Sequence, residues 1–131
     1  MSHVVDRVVL GVSALVLVAI GVSATFATAA FYASYDILTT GSPELASELR
    51  GLGLALLLLG LAIAVAVLRV RWVFPAAVVT AAVMLGLALG RAGSAIVDGL
   101  PATSMMFAGL IELVLGLAAV WVAVRHRPRR S

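Results

Sequence analysis

Residues Gly86 to Glu112 read GLALGRAGSAIVDGLPATSMMFAGLIE. Two apolar runs flank Asp98-Gly99-Leu100-Pro101, a turn by composition, because glycine adopts backbone angles closed to other residues and proline cannot continue a helix. The stretch therefore reads as the end of one helix, a short turn and the start of the next. It also places Arg91, Asp98 and Glu112 inside or beside otherwise apolar helices. A charge at a bilayer centre costs roughly 2.5 to 3.5 kcal/mol to insert, so such residues are retained for pairing, for lining a cavity or for function.

Composition extends the same reading to the whole chain. Of 131 residues, 63% are hydrophobic and 11% charged, with a mean hydropathy of +1.20. A soluble domain has an apolar share nearer ~45 to 50%. At ~20 apolar residues per spanning helix, the length holds four spans in a single integral membrane domain, residues 1–131, with no room for a soluble catalytic domain. Every one of the nine basic residues is Arg. Together with the Ala, Val, Leu and Gly-rich body, this points to a high-GC bacterial genome, hence a multi-pass protein of the bacterial cytoplasmic (inner) membrane. The chain has no cysteine, which removes disulfides, thiolate chemistry and Cys-ligated metals together.

The expected architecture is all-α, a four-transmembrane-helix bundle. Its helices cover approximately 8–30, 43–68, 74–97 and 103–124, followed by a basic tail, 125–131. Ala27-Thr28-Ala29 resembles a signal-peptide cleavage site, but the preceding segment is poor in positive charge and the apolar run is long, so a retained span is expected. Phe26, Phe31, Tyr32 and Tyr35 fit an aromatic belt with a short interfacial helix after helix 1. Ser42-Pro43-Glu44 is a helix start: a capping hydroxyl, a proline in the first turn and a carboxylate at the positive end of the dipole. Pro75 is expected in the first turn of the third helix, and Thr103 or Ser104 as the cap of the fourth.

Charge sets the expected orientation. Arg7, Arg69, Arg71, Arg125, Arg127, Arg129 and Arg130 fall on one side and only Arg50 and Arg91 towards the other, so both termini are expected to be cytoplasmic. The RHRPRRS tail is read as this orientation signal; no nucleic-acid partner is expected.

Within the spans, Gly86, Gly90 and Ser94 form a small-residue stripe suited to close helix packing. Arg91 and Asp98 share a face two turns, about 10 Å, apart. Arg91 lies two turns below the outer end of the third helix. Glu112 lies about nine residues into the fourth, ~13 Å down. Antiparallel helices joined by a short turn place these two charges at comparable depth, and pairing is expected. Glu48 and Arg50 point about 200° apart around the second helix at ~100° per residue, so only one of them can face the bundle. Glu48, Arg50, Arg91, Asp98 and Glu112 thus form a candidate polar cluster, either a buried ion network that fixes register or the lining of an outward-facing cavity. No catalytic, cofactor or metal site is expected. His3 and His126 are terminal and isolated, Met105-Met106 reads as core or lipid contact, and no phosphate-binding loop, dinucleotide fingerprint or nucleophile-base set occurs.

At ASELRGLGLALLLLGLAI, LGLALGRAGSAIVDGLPA and IELVLGLAAV the chain resembles the small four-helix membrane proteins grouped as domain of unknown function 4345. The residues that carry the resemblance are Glu48-Leu49-Arg50, Gly90-Arg91, Asp98-Gly99 and Glu112, over roughly Pro43 to Val124 and the position of helix 1. Ser47 stands where the family commonly has Asn, and Leu52 splits Gly51 from Gly53 where the family has a glycine pair. The resemblance implies a single four-helix domain and brings no activity with it. Likeness of fold assigns no job to the five charged residues.

With almost no extramembrane mass, glycine-rich faces and no catalytic constellation, the expectation is an accessory or scaffolding subunit of a larger membrane complex, such as a transporter or respiratory assembly. Its partners would be membrane lipids and other integral membrane subunits. The alternative is a lipid- or solute-binding or transport-related protein that uses the outward polar cluster. The orientation has a direct check. Single cysteines introduced at Thr40 and Arg127 should react with an impermeant thiol reagent in intact cells at position 40 only; labelling at 127 alone would reverse the topology.

Overall fold

The computed structural model describes residues 2–127, with side chains from Val4 onward. Among them it contains no strand and five helices: α1 (Ser2–Phe26), α2 (Thr28–Ala33), α3 (Pro43–Val67), α4 (Val70–Val97) and α5 (Thr103–Arg125). Four of these, α1 from Val4, α3, α4 and α5, are long and apolar enough to cross a membrane. At ~1.5 Å per residue each exceeds a ~30 Å hydrocarbon core. The fold is therefore the expected all-α bundle of four spans, with the short helix α2 directly after the first. The His3 side chain and the tail after Arg127 lie outside the described residues.

The helix ends show where local chemistry governs. Ser42 caps α3 by accepting from the Leu45 amide at 3.3 Å, with Pro43 beginning the helix. Helix α1 starts at Ser2 rather than near Val8, because Asp6 finds partners on α5 and can enter the bundle. It stops at Phe26 rather than Ala30, since Ala27 leaves the helical region (φ −126°, ψ 39°). The freed carbonyls of its last turn are met by side chains: Thr28 Oγ1 donates to the Ala24 oxygen at 2.7 Å and Arg50 Nε to the Thr25 oxygen at 3.2 Å. Helix α4 begins at Val70, so Pro75 stands inside it rather than in its first turn. The proline withholds a donor only from the Arg71 carbonyl, near the helix start where polar groups from outside can reach it. Gly99, at φ 102°, makes the α4–α5 turn. Ala102, not Thr103 or Ser104, occupies the cap of α5 and makes no side-chain capping bond. The Ser104 hydroxyl instead donates to the Ser34 oxygen at 2.9 Å, tying the start of α5 to the end of α2.

Two helix pairs carry the packing. Helix α1 buries Asp6, Leu10, Ser13, Ala14, Leu17, Gly21 and Ala24, spaced mostly by threes and fours as one helical face requires. Helix α3 meets it antiparallel through Gly53, Leu56, Gly60 and Ile63. The glycines set the distance between them: a Cβ on Gly60 would stand 2.9 Å from the Val18 nitrogen, and one on Gly53 2.7 Å from the Ala24 Cβ. In the second pair, α4 presses Leu85 onto α5 at Gly116, where a Cβ would stand 2.8 Å from Leu85 Cγ. Contact between the pairs is sparser than within them. It is made by an apolar core that includes Leu10, Leu17, Ile63, Val73, Met84 and Val122. The termini lie at one end of this bundle, shown by the contact of Asp6 with Arg125 and His126. The 34–42 connection and the Gly99 turn lie at the other, the loop end.

The stripe Gly86, Gly90, Ser94 does not seat a helix within the chain. No atom lies within 4 Å of a Cβ built on Gly86 or Gly90, and Ser94 is exposed. Helix α5 packs instead on the neighbouring face of α4, where Leu85 and Arg91 enter the space left by Gly116 and Gly109. The two classes of glycine should respond oppositely. Gly60→Ala should destabilise by about 1 to 3 kcal/mol through overpacking, whereas Gly86→Ala should be neutral or gain up to about 1 kcal/mol. Thermal unfolding in detergent measures both, and equal losses at the two sites would contradict this packing.

Candidate functional site

Arg91 and Glu112 bridge α4 and α5 through two parallel hydrogen bonds. Nε donates to Oε2 at 2.8 Å and Nη2 to Oε1 at 3.0 Å. This fork geometry is the strongest arrangement a guanidinium and a carboxylate adopt. The Glu112 side chain is 2% exposed and that of Arg91 28%, so the carboxylate is enclosed while the guanidinium reaches a boundary. Glu112 sits on the buried stripe of α5 with Gly116, Ala119 and Val122. One turn before it, Gly109 makes room for the arginine stem: a Cβ there would stand 3.3 Å from Arg91 Cδ. The third guanidinium nitrogen, Nη1, makes no hydrogen bond among the described residues.

The pair forms part of the wall of a cavity of about 360 Å³ at the loop end, where the two helix pairs separate. Gly86 and Gly90 widen it on the α4 side, and Leu49, Leu52 and Leu56 of α3 face it opposite. Phe31, Tyr32 and Tyr35 close over it. Their rings hold one another edge to face, with centroids 5.1 Å apart for Phe31–Tyr32 and 5.3 Å for Phe31–Tyr35. Burial pushes the Tyr32 phenol above its ordinary pKa, and the positive charge of Arg91 partly offsets this. The phenol is therefore neutral and able to donate at physiological pH. The cavity combines a mostly apolar wall with a few polar side chains, Tyr32, Tyr35, Arg91 and Glu112, the composition of a small-molecule pocket.

The other charged residues of the expected cluster lie elsewhere. Arg50 donates to the α1 carbonyl at Thr25, and Asp98 accepts from Ser94 Oγ at 2.8 Å. Glu48 is exposed. Since Leu49, Leu52 and Leu56 turn towards the cavity, Glu48 and Arg50 flank that face and neither points into it. The tyrosines do more than the interfacial anchoring expected of them. What brings them to the cavity is the separate helix α2, which starts after the backbone break at Ala27, a break the continuous apolar run of the sequence does not signal.

A second buried carboxylate stands outside the expected cluster altogether. Asp6 is 1% exposed, with Oδ1 3.3 Å from Arg125 Nη1 and Oδ2 2.8 Å from His126 Nε2. His126 is therefore part of a contact between α1 and the end of α5, not an isolated terminal residue. The sequence signal for it is Asp6 four residues before Leu10, on the stripe that continues through Ser13 and Leu17. No group of three metal-ligating side chains occurs among the described residues.

No curated protein and no solved structure matches this chain. A family model does, over residues 5–123, which takes in α3 and α4, nearly all of α1 and α5, the Arg91–Glu112 pair and the aromatic side chains at the cavity. The chain belongs to the family described as Domain of unknown function (DUF4345).

Proposed function

We propose that this multi-pass membrane protein is a small binding protein whose loop-end cavity takes an amphipathic lipid or solute, with a hydrogen-bond-accepting head group set against Arg91. The observation that carries the reading is the cavity itself: about 360 Å³ between the helix pairs, walled by an ion pair with one guanidinium nitrogen unbonded among the described residues. An apolar body fits against Leu49, Leu52 and Leu56, and the head group meets the Arg91 edge and the tyrosines. Because Glu112 already neutralises Arg91, the site favours a polar or singly charged acceptor over a highly charged anion. The arginine imbalance supports placing the cavity on the outer side of a bacterial cytoplasmic membrane.

A second reading, an accessory subunit beside larger membrane proteins, is supported by a bare patch at the end of α4. Ile96, Val97 and Leu100 are 86%, 82% and 80% exposed, and Gly93 beside them has open space around it. One experiment separates the two. Protein extracted from native membranes in mild detergent should carry a distinctive small molecule, detected by mass spectrometry and lost in both Gly90→Leu, which fills the cavity, and Arg91→Leu. If wild type and both variants yield the same bulk lipids while wild type is crosslinked into a heavier assembly, the subunit reading replaces the binding one.

A further inference from the structure

A different hollow, of about 780 Å³, lies between α3 and α4 at the end that holds the termini. Its origin is topological. Leu68 and Arg69 join α3 to α4 directly, yet each helix packs mainly on another partner, α3 on α1 and α4 on α5. The two diverge from their junction and leave a groove floored by Ala62, Ala66 and Ala76, with Pro75 and Val79 along its side. In a bilayer this apolar groove faces hydrocarbon, and an acyl chain fills it without desolvating any polar group.

Arg69, Arg71 and Trp72 line the same groove at its mouth and are exposed. Arg71 lies over the Trp72 ring, 5.6 Å from its centroid, and neither arginine meets a carboxylate among the described residues. The sequence offers no local counter-charge either, since no Asp or Glu occurs between Glu48 and Asp98. Asp6, the buried carboxylate at this end, is engaged by Arg125 and His126. Pro75 also leaves the Arg71 carbonyl without its usual helical donor. Two unneutralised guanidinium groups and an indole thus stand over a slot shaped for a hydrocarbon chain. Indoles favour the level between headgroup and chain, and basic pockets between spanning helices are suited to anionic headgroups.

We propose that the α3–α4 groove binds one anionic phospholipid, with an acyl chain against Ala62 and Val79 and the phosphate on Arg69 and Arg71. This site is separate from the loop-end cavity and independent of what that cavity binds. Each arginine near a headgroup favours an anionic over a zwitterionic lipid by about fivefold, so the pair should give a preference of about 25-fold.

The chain has two tryptophans, so Trp121→Phe leaves Trp72 as the sole indole reporter. This full-length protein is reconstituted in phosphatidylcholine vesicles containing equal mole fractions of either chain-brominated phosphatidylglycerol or chain-brominated phosphatidylcholine. Brominated phosphatidylglycerol should quench Trp72 with roughly 25-fold higher relative affinity. Arg69→Gln with Arg71→Gln should bring the two lipids level, and Ala62→Phe, which occupies the groove with both arginines kept, should also remove most of the preference. Equal quenching in the parent, or a preference that survives the double arginine change, overturns the proposal. A preference unaffected by Ala62→Phe overturns it too, because diffuse attraction to the basic surface would then suffice. Should the double variant lose its helical circular dichroism, Arg69→Gln and Arg71→Gln are read singly, each expected to lose about fivefold and each overturning the site if it loses nothing.

Discussion

The bidentate contact between Arg91 and Glu112 constrains the rest of the structure most tightly. A carboxylate 2% exposed within a membrane-spanning helix has no water to turn to, and a chain that left it unpaired would be strongly penalised. The charge is tolerated only with α4 and α5 in the register that brings the guanidinium fork to both oxygens. Gly109 is part of the same constraint, since a larger residue there would press on the arginine stem. A buried ion pair adds little net stability compared with apolar packing. Its effect is specificity: it fixes which turn of α5 lies against which turn of α4.

From that register the remaining features follow. With Leu85 seated on Gly116 and Arg91 on Gly109, the face of α4 bearing Gly86 and Gly90 turns towards the other helix pair, where nothing fills the space left by the missing side chains. The apolar core closes the bundle towards the termini; the loop end stays open, roofed by three aromatic rings. Helix α5 touches α1 sparingly, yet polar ties hold it along its length: Ser104 to α2, Glu112 to α4, and Arg125 with His126 to Asp6 on α1. The loop-end cavity is thus a consequence of where glycines and charges fall. It sets Arg91 and two tyrosines in the wall of a largely apolar hollow, which is the basis for reading it as a binding site.

Much of this is legible in the sequence, and the limits have physical causes. Hydropathy locates the four spans because a bilayer demands ~20 apolar residues regardless of their order. Helix geometry places Arg91 and Glu112 level, since rise per residue and a short turn leave little freedom. Rotation about the helix axis is harder. Facing directions depend on which neighbour each helix selects, and in spans apolar all round the pattern does not specify one. Gly86 and Gly90 therefore read as a packing stripe, although Gly53, Gly60, Gly109 and Gly116 accept the close contacts. Glu48 and Arg50 group with the cluster by position along the helix, although Leu49 and Leu52 beside them take the inward face. Asp6 is hard to recognise because a charge near an apolar run looks like its boundary. Only its tertiary partners, more than a hundred positions away, make it the beginning of the helix interior.

Arg91 and Glu112 should act as one unit, and a double-mutant cycle decides the matter. Thermal unfolding in detergent should show Arg91→Leu and Glu112→Leu each losing about 3 to 5 kcal/mol, because each leaves an uncompensated charge in an apolar setting. The variant carrying both changes should recover most of that loss, giving a coupling energy well above the few tenths of a kcal/mol expected of independent sites. Additive losses in the double variant would show that the two charges do not depend on each other, and the register of α5 on α4 would then have to rest on something other than this pair.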